Sequence, residues 1–128
     1  MKIDAIDHFV LTVKSVPATC EFYTRALGME VVTFGNGRTA LKFGSQKINL
    51  HPLENDIALK AGTPLPGSAD VCFITSVPVA DVVAHLKSVG VPIIEGPSLR
   101  AGACGPIMSV YFRDPDQNLV EVSNYKKG

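Results

Sequence analysis

The chain carries one short pattern twice. Ser15-Val16-Pro17, a helical stretch and Gly28 reappear as Ser76-Val77-Pro78, a second helical stretch and Gly90. The offset is 61 residues at the serine and 62 at the glycine. An apolar run precedes each copy, at His8 to Val13 and at Val71 to Thr75, and strand-like segments follow each. Such a repeat fixes what one folding unit is before any other reading. Half of a 128-residue chain is too small to bury much core alone. The repeat therefore predicts two like modules sharing one core, with a cleft between them as a natural place for a ligand.

At this length the chain reads as a single domain. Module 1 spans about 1–53, a linker 54–67 and module 2 about 68–128. The linker region is polar and carries Pro64, Pro66 and Gly67. In module 1, Ile6 to Val13 reads as a buried strand, and Ser15 caps a helix with Pro17 in its first turn. Val16, Cys20, Tyr23 and Leu27 recur at helical spacing, with Phe22 and Ala26 beside them, and Gly28 is placed to end the helix. Glu30 to Phe34, Arg38 to Phe43 and Lys47 to His51 read as strands. Between the first two of these, Gly35-Asn36-Gly37 signals a hairpin whose Asn-Gly suits a type I′ turn.

In module 2 the strand Asp70 to Thr75 leads to a helix from Val79 to Val89, with Val79, Val82, Val83 and Leu86 inward. Val91 to Glu95 reads as a strand and the Gly- and Pro-rich Gly96 to Pro106 as a mobile loop. Ser109 to Arg113 and Asn118 to Tyr125 are the last strands, joined by the turn Asp114-Pro115-Asp116-Gln117. The order β-α-β-β-β, written twice, predicts an α+β fold: two tandem βαβββ modules forming a curved eight-stranded mixed sheet with outer helices.

Charge and cysteine content narrow the function. Formal net charge is zero, with no Lys/Arg cluster beyond Lys126-Lys127. Nucleic acid and anionic membranes thus have no electrostatic footprint here, and low self-repulsion suits a homodimer. No apolar stretch approaches a membrane span, and the N-terminus lacks the apolar core of a secretion signal. Cys20, Cys72 and Cys104 are odd in number and widely spaced, which fits free thiols in a reducing cytoplasm. Cys104 lies in the Gly-rich segment and reads as a small loop residue.

Three stretches carry a family likeness: Ile6-Asp7-His8-Phe9-Val10-Leu11, then Phe22-Tyr23 with Leu27-Gly28-Met29, then Phe112-Arg113-Asp114-Pro115-Asp116 through Val120-Glu121. Their order and spacing resemble the vicinal oxygen chelate superfamily of glyoxalases, bleomycin-resistance proteins and extradiol dioxygenases. Lys47 to His51 and Pro66 to Asp70 look most like a subgroup called glyoxalase domain-containing protein 5, whose members are often labelled only as virulence proteins. The resemblance implies an incurved sheet around a divalent metal, with ligands from the first and last strands of each module. In many short members each site is shared between subunits.

His8 then falls at the family's first-strand histidine, and a neutral imidazole is a good ligand for borderline divalent metals. The alternative is a histidine bonded within the sheet. Glu121 stands in the apolar run Leu119-Val120-Glu121-Val122. A carboxylate buried there needs a metal or an arginine such as Arg113 or Arg38. Asp70 is the repeat counterpart of His8, where relatives carry a second histidine. As an oxygen ligand it favours harder ions, or else it only starts a strand. Asn49 aligns with Glu121, where glyoxalase I-like relatives carry a glutamate. His51, two residues on and on the same strand face, is a candidate ligand or acid/base, or a histidine closing the strand before Pro52. Asn49, Arg38, Tyr111 and Arg113 are candidate substrate contacts. The ion itself, Ni, Mn, Zn, Mg or Fe, stays open.

Three functions follow from the resemblance. The first is a glyoxalase-like metalloenzyme, the metal polarising a small oxygenated substrate while Glu121 or His51 moves a proton. Isomerisation of a thiohemiacetal and thiol addition to an epoxide both fit. The second is a non-enzymatic ligand-binding protein of the bleomycin-resistance type, with walls drawn from Phe43, Phe73, Tyr111, Phe112 and Tyr125. The third, an extradiol dioxygenase, is opposed by Asp70 where a second histidine is needed.

Overall fold

The elements of the computed structural model, which describes residues 1–126, follow the repeat. Lys127 lies outside the described residues. The first half runs β1 (His8–Val13), α1 (Val16–Leu27), β2 (Glu30–Phe34), β3 (Arg38–Phe43) and β4 (Gln46–Pro52). The second half runs β5 (Asp70–Ile74), α2 (Val79–Ser88), β6 (Glu95–Gly102), β7 (Gly105–Arg113) and β8 (Leu119–Tyr125). Backbone contacts divide the chain into two compact units, Met1–Ser68 and Ala69–Gly128.

Eight strands and two helices in this order make an α+β chain of tandem βαβββ modules. Hydrogen bonding groups the strands into two mixed sheets of four, ordered β1-β4-β3-β2 and β5-β8-β7-β6. In each unit the first strand pairs parallel with the last. The crossover helix between them is what a parallel pair requires.

Register gives the repeat its atomic form. His8 pairs with Lys47 as Asp70 pairs with Leu119, and Val10 pairs with Asn49 as Cys72 pairs with Glu121. Asp70 is therefore the structural counterpart of His8, and Glu121 of Asn49, as the sequence offsets imply.

Each sheet buries one face under its own helix. In unit 1, Leu11, Val13, Leu41, Ile48 and Leu50 alternate inward. In unit 2, Val110, Phe112, Val120 and Val122 do so, under Val82 and Leu86 of α2. Ser15 caps α1 by accepting from the Ala18 amide at 3.1 Å, and Gly28 ends it at φ 67°. The buried stripe of α1 is Thr19, Phe22, Tyr23 and Ala26: Phe22, Tyr23 and Ala26 are buried as expected, whereas Val16, Cys20 and Leu27 are only partly buried and Thr19 turns in beside them. A threonine can turn inward here because its hydroxyl donates to the Ser15 carbonyl at 2.8 Å.

Three local expectations are corrected. Phe34 pairs with Arg38, so the hairpin loop has three residues, and Gly35 and Gly37 take positive φ rather than Asn36-Gly37. The segment read as a mobile loop, Gly96 to Pro106, is instead the hairpin of β6 and β7, turning at Ala103-Cys104, while Val91 to Ile94 is not a strand. No helix among the described residues is long and apolar enough to cross a membrane.

Candidate functional site in the second unit

On the sheet face that α2 leaves open, one cross-strand row reads Cys72, Glu121, Tyr111, Glu95. Directly opposed residues share a face, so four polar side chains line up across the sheet. The same row in unit 1 is Val10, Asn49, Ala40, Val32. The repeat has thus kept the backbone while the ionisable side chains of this row all lie in unit 2.

Glu121 is half-buried, and its partners are two hydroxyls and the Cys72 thiol. Ser123 Oγ donates to Oε2 at 3.4 Å, and the Tyr111 phenol stands beside the carboxylate. Behind Ser123 a polar chain continues: its Oγ lies 2.6 Å from the buried Ser109 hydroxyl and 3.3 Å from Cys72 Sγ. Arg113, one predicted ion-pair partner for Glu121, instead donates to the Gln117 carbonyl at 3.3 Å.

Arg100 reaches the row from β6. Its Nε donates to the Tyr111 hydroxyl at 3.0 Å, and its guanidinium lies 3.6 Å from the Glu95 carboxylate. Guanidinium can only donate, so the Tyr111 proton must point elsewhere, and Glu121 is the acceptor beside it. Burial raises the Tyr111 pKa, the Arg100 bond opposes this, and Glu121 adds to the rise. The phenol therefore stays protonated and available as a donor. Burial also pushes the Cys72 thiol up; Ser123 opposes the shift, while Glu121 and Asp70 reinforce it. Cys72 is thus a neutral thiol at neutral pH, not a nucleophile.

These side chains open into a pocket of about 360 Å³. Arg100, Tyr111, Glu121 and Cys72 form its polar end, and Ile74 and Ile107 its apolar wall. Of the predicted aromatic walls, Tyr111 and Tyr125 line this pocket, while Phe112 is fully buried core. The Tyr125 hydroxyl accepts from the Cys104 amide at 3.1 Å, which seats the β6–β7 turn at the pocket rim. A larger hollow in unit 1, about 740 Å³, is lined by Phe34, Asn36, Arg38 and the segment after β4, and of the predicted site residues only Arg38 borders it.

In unit 1 the His8 Nδ1 contacts Asp7 Oδ1 at 2.7 Å, leaving Nε2 as the nitrogen free to ligate. Asp70 starts β5, exposed. Asn49 and His51 are buried side by side on β4, and Asn49 Oδ1 and His51 Nδ1 meet no hydrogen-bond partner. The donor chemistry of His8, Asp70 and Glu121 suits a divalent cation. No three His, Cys, Asp or Glu side chains stand together as a metal-holding group among the described residues.

Burial, then the charges of Arg38 and Lys60, hold the His51 imidazole below its ordinary value near 6.5. The unfolded chain therefore takes up that proton more readily than the fold does. Stability from this group is complete above about pH 6.5 and is lost as pH falls below it. The denaturation midpoint should drop more between about pH 7.5 and about pH 5.5 in the wild type than in His51→Gln. Equal drops would refute the assignment.

Sequence reasoning singled out Glu121, Tyr111 and Asp70 but missed Arg100 as a site residue, because it assigned residue 100 to a loop. The repeat held the missing signal. Module 1 has a β2–β3 hairpin, so module 2 needs a strand opposite β7.

The superfamily model described as Glyoxalase/Bleomycin resistance protein/Dioxygenase matches residues 5–122. Virulence protein STM3117 of Salmonella typhimurium is 55% identical over 98% of this chain and 87% of its own length. An integron cassette protein from V. cholerae has the same fold with a TM-score of 0.97, at 55% identity over 98% of both chains. A lactoylglutathione lyase from Agrobacterium tumefaciens aligns with a TM-score of 0.74 at 25% identity, over 98% of this chain and 96% of its own. The chain therefore belongs to the glyoxalase/bleomycin resistance protein/dioxygenase superfamily.

Proposed function

We propose that this protein is a glyoxalase-type metalloenzyme acting on a small oxygenated molecule, with Glu121 as its proton-moving carboxylate. One observation carries the reading. Glu121 is a half-buried carboxylate in a pocket, hydrogen-bonded by the Ser123 and Tyr111 hydroxyls and the Cys72 thiol, with the Arg100 charge felt across Tyr111 and not as a direct ion pair. A negative charge kept there without a direct ion pair suits transfer of a proton or binding of a cation.

His8 and Glu121 are the proposed ligands of a divalent ion, with Asp70 as a further oxygen donor. When bound, such an ion polarises a carbonyl or hydroxyl oxygen. The protein's own part is to orient and to shuttle. Ser123 fixes one Glu121 oxygen, Tyr111 donates from the side, and Arg100 holds Tyr111 in place. A homodimer in the cytoplasm completes the proposal, in keeping with the zero net charge.

The test is turnover by protein equilibrated with divalent metal, using a thiohemiacetal and an epoxide with thiol as substrates. Glu121→Gln should lower the rate at least ~100-fold, the usual scale for losing a general acid or base. Wild-type turnover in that variant would contradict the role. A second reading, a module that binds its ligand without reacting it, is favoured by the apolar wall of Ile74 and Ile107 and by the lack of three grouped donors among the described residues. Saturable binding with no turnover under any metal would select it.

A further inference from the structure

The Glu121 pocket has two unlike ends, set in order by the register of the strands. Cys72, Glu121 and Tyr111 make one cross-strand row. The next row on the same face is Ile74, Ser123 and Ser109, and the third is Tyr125, Ile107 and Arg100. The two serines have no exposed surface and bond each other at 2.6 Å, so the middle row turns no free hydroxyl to a ligand. From Glu121 to Tyr125 the path is four residues of β8, about 13 Å.

Arg100 carries its charge away from the far end. Its backbone stands opposite Ile107 in the third row, yet its Nε bonds the Tyr111 hydroxyl in the first. The aliphatic stem therefore spans the middle of the pocket, and the guanidinium joins the polar end. Among the described residues no charged group lines the far end, where Ile107, the Tyr125 ring and the turn at Ala103 meet. The hairpin bounds that end closely. A β-carbon on Gly102 would sit 2.8 Å from Ile107 Cγ2 and 3.2 Å from Tyr125 Cε1, so the backbone lies directly against both. The Tyr125 hydroxyl accepts from the Cys104 amide, which holds the ring in place.

We propose that the substrate is an amphiphile, with an oxygenated head at Glu121 and Tyr111 and an apolar tail of about six to eight carbons reaching Tyr125. Head and tail match the two ends. Glu121 accepts and Tyr111 donates, so a hydroxyl or carbonyl is met there, while Ile74, Ile107 and the Arg100 stem offer the tail only carbon. The length follows from the strand: four residues of extended chain are about twelve bonds, and the head takes the first few. A volume of about 360 Å³ is of small-molecule size. This inference rests on the Glu121 reading and adds the class of substrate to it.

The probes are 1,2-alkanediols from propanediol to dodecanediol, titrated into the purified protein while the Tyr125 ring protons are followed by NMR. Affinity should rise about fourfold per methylene and level off near about eight to ten carbons, where the pocket is full. Ile74→Ala should weaken octanediol about fivefold and leave propanediol unchanged. Leu59→Ala, at a 93% exposed position in unit 1, should change neither. Four outcomes would each overturn the proposal: no rise with length, a rise unbroken to dodecanediol as simple partitioning gives, Tyr125 signals that stay still, or octanediol binding unchanged in Ile74→Ala. The first three are read on the wild type and hold even if a variant fails to fold. Turnover takes no part in the readout. A cut-off without catalysis sinks only the Glu121 role, and catalysis without a cut-off sinks only the tail.

Discussion

Replacing Asp114 with alanine is expected to cost about 3–5 kcal/mol of stability, the range for removing a buried, multiply bonded charge. Asp114 is 3% exposed. Its Oδ1 accepts from the Asp116 and Asn118 amides at 2.9 and 3.0 Å, and its Oδ2 from Asn118 Nδ2 at 2.8 Å. Alanine would leave these three donors without a partner in a dry turn. The damage would travel further. The Asn118 side-chain carbonyl accepts from the Ala69 amide at 2.9 Å, which fixes the start of β5 against β8. Loosening Asn118 therefore loosens Asp70 and Cys72 relative to Glu121. Asp114→Asn keeps the Oδ1 acceptor and should lose about half as much. Chemical denaturation of both variants checks this, and a loss under about 1 kcal/mol in the alanine variant would contradict it.

Gly96→Ala should be nearly as damaging, at about 3–5 kcal/mol, combining overpacking with a strained backbone. Gly96 has φ 101°, and a β-carbon there would collide with the Ser109 carbonyl oxygen and come within 3.0 Å of Val110 Cα. Both obstacles are backbone of β7, so no side chain can swing away. The chain is forced this close by the irregular pairing between Glu95 and Ser98, where β6 shifts register on β7. Pushing the strands apart there would also part Arg100 on β6 from Tyr111 on β7. Gly105 is the control: its φ is 135°, but the space around its β-carbon position is open. Gly105→Ala should cost only the backbone strain, about 1–2 kcal/mol. Equal losses at the two glycines would show that the collision with β7 is not what matters.

How far the sequence could be read varied with how local the cause was. The bounds of β2 and β3 and the capping of α1 by Ser15 and Gly28 rest on neighbours in the chain, and those were legible. Glu121 was legible too, as a carboxylate in an apolar strand. β6 was not, because Gly96, Pro97 and Gly102 carry loop signals. Their reason is tertiary. Pro97 is tolerated because β6 is an edge strand. Gly102 is required because a β-carbon would meet Ile107 at 2.8 Å and Tyr125 at 3.2 Å. With β6 hidden, Arg100 had no visible route to Tyr111. The burial of Thr19 is an exception: its cause is local, a hydroxyl satisfied by the Ser15 carbonyl one turn earlier, but a stripe read from apolar residues alone passes over it.

The most direct test is metal content per chain, by mass spectrometry on untagged protein purified without chelator, beside His8→Ala and Glu121→Ala. The prediction is about one divalent ion per chain in the wild type, lost in both variants. A wild type that carries no metal and takes up none when offered Ni, Mn, Zn, Mg or Fe would contradict the metalloenzyme reading.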